Sequence, residues 1–418
     1  MNELFCTFHL ACGLALAWAP VSLLQAADEP QAPAGGGLEE ATRLQIFLDK
    51  AQFGPGKIDG RYGGFTHKAL NLYRESLGQE PVPLPSAEKS GKDGAKEDDK
   101  KAKADEEAPD LSNKAVHPLP DLKDLDLASI TPVFLEYQVT EEDASQVGEV
   151  PKEVPAMAKL KWLPYATLAE AVAEKFHCDL KYFHELNPGK SEALKPGDKV
   201  KVPNVDPFDA RKVKDMALLD LIASEDSDSD KEAKEKSKAK AKSKPKNKGS
   251  AKGESPGKPN AESDDAKTTG EDGSRDEGKL LKPSQIAVKV STQDSMLRLY
   301  EDGKLAAAFP VTIGSQQTKS PEGEWKVRGI ARLPDFRYDK SFLKTGERGD
   351  TTYLLPPGPN NMVGVIWVAT NRRGIGLHGT SDPDTIGRSA SHGCIRLANW
   401  DIVRLASRLR AGAEVSIH

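Results

Sequence analysis

Two stretches of this chain hold almost nothing from which a protein interior is built. Residues 86–108 (SAEKSGKDGAKEDDKKAKADEEA) contain no aromatic and no β-branched residue. Residues 224–282 open with SEDSDSD and continue through KEAKEKSKAKAKSKPKNKGSAKGESPGK. Such segments bury too little apolar surface to offset the entropy of ordering, so disorder is expected over linkers at 80–120 and 224–282. A chain of 418 residues interrupted in this way cannot close around one core, and separate compact segments must lie between the interruptions. The overall apolar content of 37 % falls short of the roughly 45–50 % of an average globular chain because of these tracts. A net charge of −5 excludes a uniformly basic nucleic-acid binder. Residues 231–258 are locally basic, with eleven Lys against three Glu. The whole of 224–282 reads as a solvated tether whose ends lie about 40 Å apart, with attraction to anionic polymers or phosphate surfaces as a compatible addition.

Residues 10–24 (LACGLALAWAPVSLL) are apolar and precede Gln25-Ala26-Ala27-Asp28, which predicts a signal peptide over 1–27 cleaved after Ala26 or Ala27. The segment before the apolar run has no Lys or Arg, and the run is short of the roughly 20 residues of a spanning helix. An uncleaved anchor is the alternative, and lipidation at Cys12 a weaker one. Export removes Cys6 and Cys12 and leaves Cys178 and Cys394, too few for a disulfide scaffold. The mature chain then has no transmembrane segment and resides in the periplasm or cell wall.

Three segments carry core-forming patterns. In 38–79, Leu44, Phe47, Leu48 and Ala51 form a helical stripe, and FGPGKIDGR at 53–61 is a tight loop. Thr66 is the expected cap of a second helix carrying Ala69, Leu70, Tyr73 and Leu77. In 130–205, Leu168, Ala171, Val172 and Phe176 mark one helix face, and Asp179 caps the next helix with Leu180 and Phe183. Asn187-Pro188-Gly189 stops that helix before a turn and a short strand ending at Pro203. His177 and Cys178 read as packing at the helix junction. From 285 the period becomes two: Ile286, Val288 and Val290 alternate, as do Leu305, Ala307, Phe309, Val311 and Ile313. Asp302-Gly303 predicts a hairpin, and further strands are expected at 363–368 and 375–378. Asn399 is the expected cap of a helix with Ile402, Leu405, Ala406 and Leu409, and Gly412 ends it before a last strand at 415–417.

This mostly-β segment holds the one dense cluster of reactive side chains: Leu377-His378-Gly379-Thr380, then Ser391-His392-Gly393-Cys394-Ile395-Arg396. A thiol attacks a carbonyl as the thiolate, so it needs a base nearby and donors for the oxyanion. His378 is placed to take the proton, Gly393 lets backbone amides approach, and Arg396 shares a strand face with Cys394 and could hold a carboxylate. On residue type alone, a zinc site of His378, His392 and Cys394 competes with this reading, as does a buried cysteine among incidental histidines.

The run LHGTSDPDTIGRSASHGCIRLAN resembles the catalytic signature of the L,D-transpeptidase family. TKSPEGEW at 318–325, with Lys319 inserted, and PPGPNNMVG at 356–364, with Met362 where proline is common, resemble further family stretches over 285–418. The resemblance implies Cys394 as nucleophile and His378 as base, oriented by the Gly379 carbonyl. It implies an oxyanion site at His392 and Gly393, and substrate contacts from Ser391 and Arg396. The donor would be a peptidoglycan stem tetrapeptide and the acceptor an amine, as in 3→3 cross-linking during cell-wall biogenesis, with no metal or organic cofactor. Water as acceptor would make it an L,D-carboxypeptidase, and loss of chemistry would leave a wall-binding protein. Upstream, the 38–79 pattern resembles a peptidoglycan-binding repeat, set against a helical hairpin with no ligand. YATLAEAVAEKFHCDLKYFHELNPGKSEALKPGDKVKVPN resembles the second half of a LysM domain, a binder of glycan strands. The expected fold is therefore multi-domain: a small α-helical module, a small α/β module and a mostly-β catalytic domain, joined by disordered linkers.

Overall fold

The structure, a computed structural model, describes residues 36–83, 117–217, 285–314, 320–341, 349–372, 374–388 and 393–418. The proposed signal segment and the whole of 224–282 lie outside these residues.

Two helices form the first unit, α1 (Gly36–Lys50) and α2 (Gly64–Ser76). Of the predicted stripe Leu44 and Leu48 are buried and Phe47 and Ala51 partly so, but Thr42, Gln45, Ile46 and Asp49 on the remaining circumference of α1 are buried as well. A helix buried nearly all round has neighbours on more than one side. Thr66 does not cap α2, which begins two residues earlier with Gly63 at the cap position. Its hydroxyl is instead buried and accepts from Gln45 Nε2 at 3.3 Å. Order also reaches further than the predicted linker boundaries. Asn71 Oδ1 accepts from the Val82 amide at 2.8 Å, and after the linker Tyr62 O accepts from the His117 amide at 3.0 Å.

The second unit pairs β1 (Phe134–Gln138) with β2 (Lys199–Pro203) in antiparallel register, Tyr137 opposite Val200. Between the strands lie α3 (Glu141–Ala144), α4 (Val154–Met157), α5 (Leu168–Lys175) and α6 (Leu180–Leu186). Thr167 and Glu170 form a reciprocal cap at the start of α5. The Asp179 carboxylate caps α6 by accepting from the Lys181 and Tyr182 amides, as its place before the apolar pattern predicted.

The third unit is an eight-stranded sheet in the order β11-β10-β9-β6-β12-β3-β4-β5. Its strands are β3 (Ile286–Ser291), β4 (Met296–Glu301), β5 (Lys304–Pro310), β6 (Gly323–Arg332), β9 (Ile366–Thr370), β10 (Gly376–His378), β11 (Ile395–Arg396) and β12 (Glu414–Ile417). A separate hairpin, β7 (Phe336–Tyr338) with β8 (Tyr353–Leu355), stands beside it. Asp302 and Gly303, at φ 50° and 78°, make the turn between β4 and β5 with both central residues left-handed, the geometry that suits a two-residue hairpin. Helix α7 (Asn399–Arg408) covers one face with Ile402, Leu405 and Ala406. Asn399 is not its cap, because Ala398 occupies that position and the Asn399 side chain is fully buried among other elements.

The three units do not stand apart as beads on tethers. Their cores interlock: Ile46 and Ile58 pack into the core of the second unit, and Met296 and Ala308 of the sheet into that of the first. The 53–61 loop pairs its backbone with both neighbours, Gly54 N donating to Ala308 O at 2.8 Å and Ile58 N to His177 O at 2.8 Å. A buried ionic group joins all three. Asp49 of α1 accepts a two-pronged contact from Arg404 of α7 at 2.9 and 2.8 Å, and His177 Nδ1 lies 3.0 Å from the same carboxylate. Burial works to raise the Asp49 pKa, but His177 and Arg404 overturn that and hold it below the usual carboxylate range. Burial pushes neighbouring Asp401 up to about 8, so it is protonated at neutral pH and leaves the guanidinium to Asp49. The Trp400 ring stacks on His177 with centroids 5.0 Å apart.

Candidate functional site

The site lies at the β11 end of the sheet. Strands β10 and β11 run parallel with Leu377 opposite Ile395 and His378 opposite Arg396, and β9 lies antiparallel on the other side with Trp367 opposite His378. Side chains alternate along a strand, so two sets separate. Leu377, Ile395 and Val368 point into the main core. His378, Arg396 and Trp367 share the other face, and Cys394, one residue before β11, sits level with Gly376. Spacing in the sequence thus becomes juxtaposition: 16 residues apart along the chain, His378 and Cys394 are brought to adjacent strands.

His378 is 4 % exposed. Its Nδ1 lies 2.6 Å from the Gly379 carbonyl, which accepts and therefore fixes the proton on that nitrogen and leaves Nε2 as the basic one. The Trp367 ring stacks on the imidazole, centroids 5.3 Å apart and planes 15° from parallel. Burial lowers the His378 pKa from 6.5 to about 4, against the raising effect of the Gly379 bond, so the ring is neutral at neutral pH.

Cys394 is half-buried, and its thiol donates to Gly374 O at 3.4 Å. Burial pushes the thiol above its ordinary value, while the Gly376 backbone and Arg396 pull it down. Burial thus disfavours the charged form of both groups, the thiolate and the imidazolium. Gly376 is required by space: a Cβ there would sit 2.7 Å from the Trp367 ring and from Val368 O. Arg396 is half-buried, and burial lowers its pKa while Cys394 and Asp382 raise it. Its Nε is buried with no hydrogen-bond partner among the described residues. Its backbone exchanges both hydrogen bonds with Thr312, at 3.0 and 2.9 Å, which ties β11 to the chain leaving β5.

The loop from 379 to 388 is anchored from two directions. Thr312 Oγ1 donates to Thr385 O at 3.0 Å, and Lys57 of the first unit bridges Asp384 of this loop and Asp179 of the second unit. Gly393 has φ 104°, a left-handed backbone directly before the cysteine. Ser391 and His392 lie outside the described residues, and with His392 one of the three candidate zinc ligands. Sequence reasoning brought together His378, Gly379, Cys394 and Arg396. It passed over Trp367, Gly374, Gly376 and Thr312. Trp367 carried a usable signal, as an aromatic at the non-core position of an alternating run, whereas the backbone acceptors leave no trace in composition.

This mostly-β domain, with its histidine and cysteine at the ends of adjacent parallel strands, defines a class. Residues 285–417 match the YkuD family, the L,D-transpeptidase catalytic domain, and the C-terminal third of the chain is such a domain. Among relatives, an L,D-transpeptidase of Bacillus licheniformis named YkuD is 33 % identical over 135 residues, covering 32 % of this chain and 66 % of that protein. ErfK/SrfK of Escherichia coli, also named an L,D-transpeptidase, is 28 % identical over 146 residues, covering 33 % of this chain and 46 % of its own. Of the solved structures, the Enterococcus faecium L,D-transpeptidase aligns with 20 % identity and a TM-score of 0.26, over 32 % of this chain and 50 % of the other. The chain thus spans just under two thirds of the first of these relatives and about half of the others.

Proposed function

We propose that this chain is an exported L,D-transpeptidase that acylates Cys394 with a peptidoglycan stem tetrapeptide and passes the acyl group to an amine. The observation that carries the reading is the β10–β11 register, which sets Cys394 and a neutral, oriented His378 on one face of a domain of this family. As Cys394 Sγ bonds to the carbonyl carbon of the third stem residue, its proton passes to His378 Nε2. The carbon–nitrogen bond to the terminal D-alanine then breaks, and that proton leaves with the amine. The neutral resting pair suits this sequence, because the charge separates only in the transition state. His392 and Gly393 supply the oxyanion site, and Ser391 supports it. Arg396, whose buried Nε lacks a partner among the described residues, takes a substrate carboxylate. An acceptor amine attacks the thioester, His378 removes its proton, and the thiol is restored with a 3→3 cross-link formed.

The upstream units serve as wall-binding modules. The β1-α5-α6-β2 arrangement supports a LysM-like glycan binder, and the α1-loop-α2 unit a peptidoglycan-binding repeat. A signal segment at 1–27 would deliver the chain to the periplasm or cell wall, and among the described residues no helix is long and apolar enough to cross a membrane. Mass spectrometry of muropeptides after incubation with stem tetrapeptide tests the reading. Cross-linked dimer is the expected product, and none should form with Cys394→Ala. Tripeptide without dimer would replace transfer by carboxypeptidase action, and equal products from the variant would refute the nucleophile.

A further inference from the structure

A chain of close contacts enters the catalytic domain from the second unit and ends at His378. It begins at Glu174 in the last turn of α5, whose Oε1 accepts from Asn399 Nδ2 at 2.8 Å. The Tyr165 hydroxyl also hydrogen-bonds to this carboxyl group. Asn399 is 0 % exposed. Its Oδ1 accepts from the Val365 amide at 3.1 Å, and among the described residues its Nδ2 has one other contact, a long one to Pro359 O at 3.4 Å. The amide lies directly against two glycines: a Cβ on Gly379 would meet Asn399 Oδ1 at 2.2 Å, and one on Gly364 would meet it at 2.1 Å. Gly379 in turn presents the carbonyl that accepts from His378 Nδ1 at 2.6 Å.

An amide has an oxygen that only accepts and a nitrogen that only donates, so its orientation depends on which partner stands at each end. Glu174 supplies the good acceptor for the nitrogen and thereby turns the oxygen toward Val365 and the two glycines. With that acceptor gone, the amide is held by one firm hydrogen bond, and rotation brings it against a glycine backbone with no room to yield.

We infer that Glu174 is a positioning residue for the catalytic histidine, acting from outside the catalytic domain through Asn399 and Gly379. It touches neither the thiol nor the imidazole. The second unit is on this account a working part of the active site as well as a wall-binding module. The inference rests on the reading of His378 as the base of Cys394.

The test compares Glu174→Gln, which keeps an acceptor oxygen at nearly the same shape, with Glu174→Met and Glu174→Ala, which remove it, the first at similar volume. Turnover of stem tetrapeptide and alkylation of Cys394 by iodoacetamide are both measured on the full-length chain, with the labelled cysteine identified by peptide mass mapping. Misplacing a catalytic group by a fraction of an ångström is expected to lower kcat about tenfold in the Met and Ala variants with KM within about twofold, and the alkylation rate in parallel. The Gln variant should stay within about threefold of the unaltered chain. Unaltered kinetics in the Met variant, or a loss in the Gln variant as deep as in Ala, would overturn the inference. Should the unaltered chain turn over no tetrapeptide while the alkylation difference persists, the transpeptidase reading fails and the positioning role stands. Absence of the alkylation difference overturns the positioning role whether or not tetrapeptide reacts.

Discussion

The Asp49–Arg404 contact makes the docking of the three units measurable. Asp49 is fully buried and the Arg404 side chain only 14 % exposed, with two hydrogen bonds of 2.9 and 2.8 Å between them. Asp49→Ala deletes the carboxylate and leaves a guanidinium in the interface without its counter-charge. Protonated Asp401, whose nearest oxygen lies 3.9 Å from the guanidinium, does not replace it. Breaking one side of such a buried pair costs about 3–5 kcal/mol, and His177 loses its partner as well. Removing both charges with Asp49→Ala and Arg404→Met takes away the stranded cation, so the double variant should recover about 1–3 kcal/mol relative to the summed single effects. Equilibrium urea unfolding, followed by tryptophan fluorescence and circular dichroism, reads both quantities. The docked units should unfold in a single transition, and Asp49→Ala should lower its midpoint or split it. A single-variant loss below about 0.5 kcal/mol, or additivity within that margin, would refute the docked arrangement.

Four further outcomes are expected. His378 titrates near 4 in the folded chain against 6.5 ordinarily, so its stabilising preference for the neutral ring is fully present above pH 6.5 and lost as the pH falls toward 4. The shift corresponds to roughly 3 kcal/mol, and His378→Asn should remove that part of the acid destabilisation in urea midpoints measured from pH 4 to 7. The acid limb of kcat/KM should lie near pH 4, and a limb near 6.5 would contradict a buried neutral base. Gly379→Ala should abolish turnover, because its Cβ would fall 2.2 Å from the Asn399 oxygen, and full activity in that variant would show the strand end is looser than described. Lys57→Met should release the 379–388 loop from the first unit, raising its rate of proteolytic nicking severalfold, and an unchanged rate would deny the Lys57–Asp384 tie a role.

Local chemistry was legible in the sequence, and long-range partnership was not. Asp302-Gly303 announced its hairpin and Asp179 its cap because turns and caps are set by residues within a few positions. His378, Cys394 and Arg396 stood out as a cluster in the sequence, but residue type alone left zinc binding and incidental packing open, and the resemblance of the whole run was what pointed to acyl transfer. Asn399 and Thr66 carry the same small polar groups as a cap, yet burial claimed both, Thr66 against Gln45 of its own unit and Asn399 against Glu174 of the second. Asp49 and Arg404 look, one at a time, like parts of solvated helix faces and His177 like packing at a helix junction, and only the fold shows that they meet. Strand β1 was missed because its residues, mostly half-buried in a two-stranded sheet, give a weak alternation. The expectation that folded units hang freely on tethers failed for the same reason. Composition says nothing of whether compact segments dock on one another.

The central claim is that Cys394 carries the acyl group. Intact-protein mass spectrometry within seconds of mixing with stem tetrapeptide should show an adduct of tetrapeptide minus D-alanine, mapped to the peptide containing Cys394. It should be absent from Cys394→Ala and reduced in His378→Ala. An adduct on any other residue, or product formation by Cys394→Ala, would contradict the account.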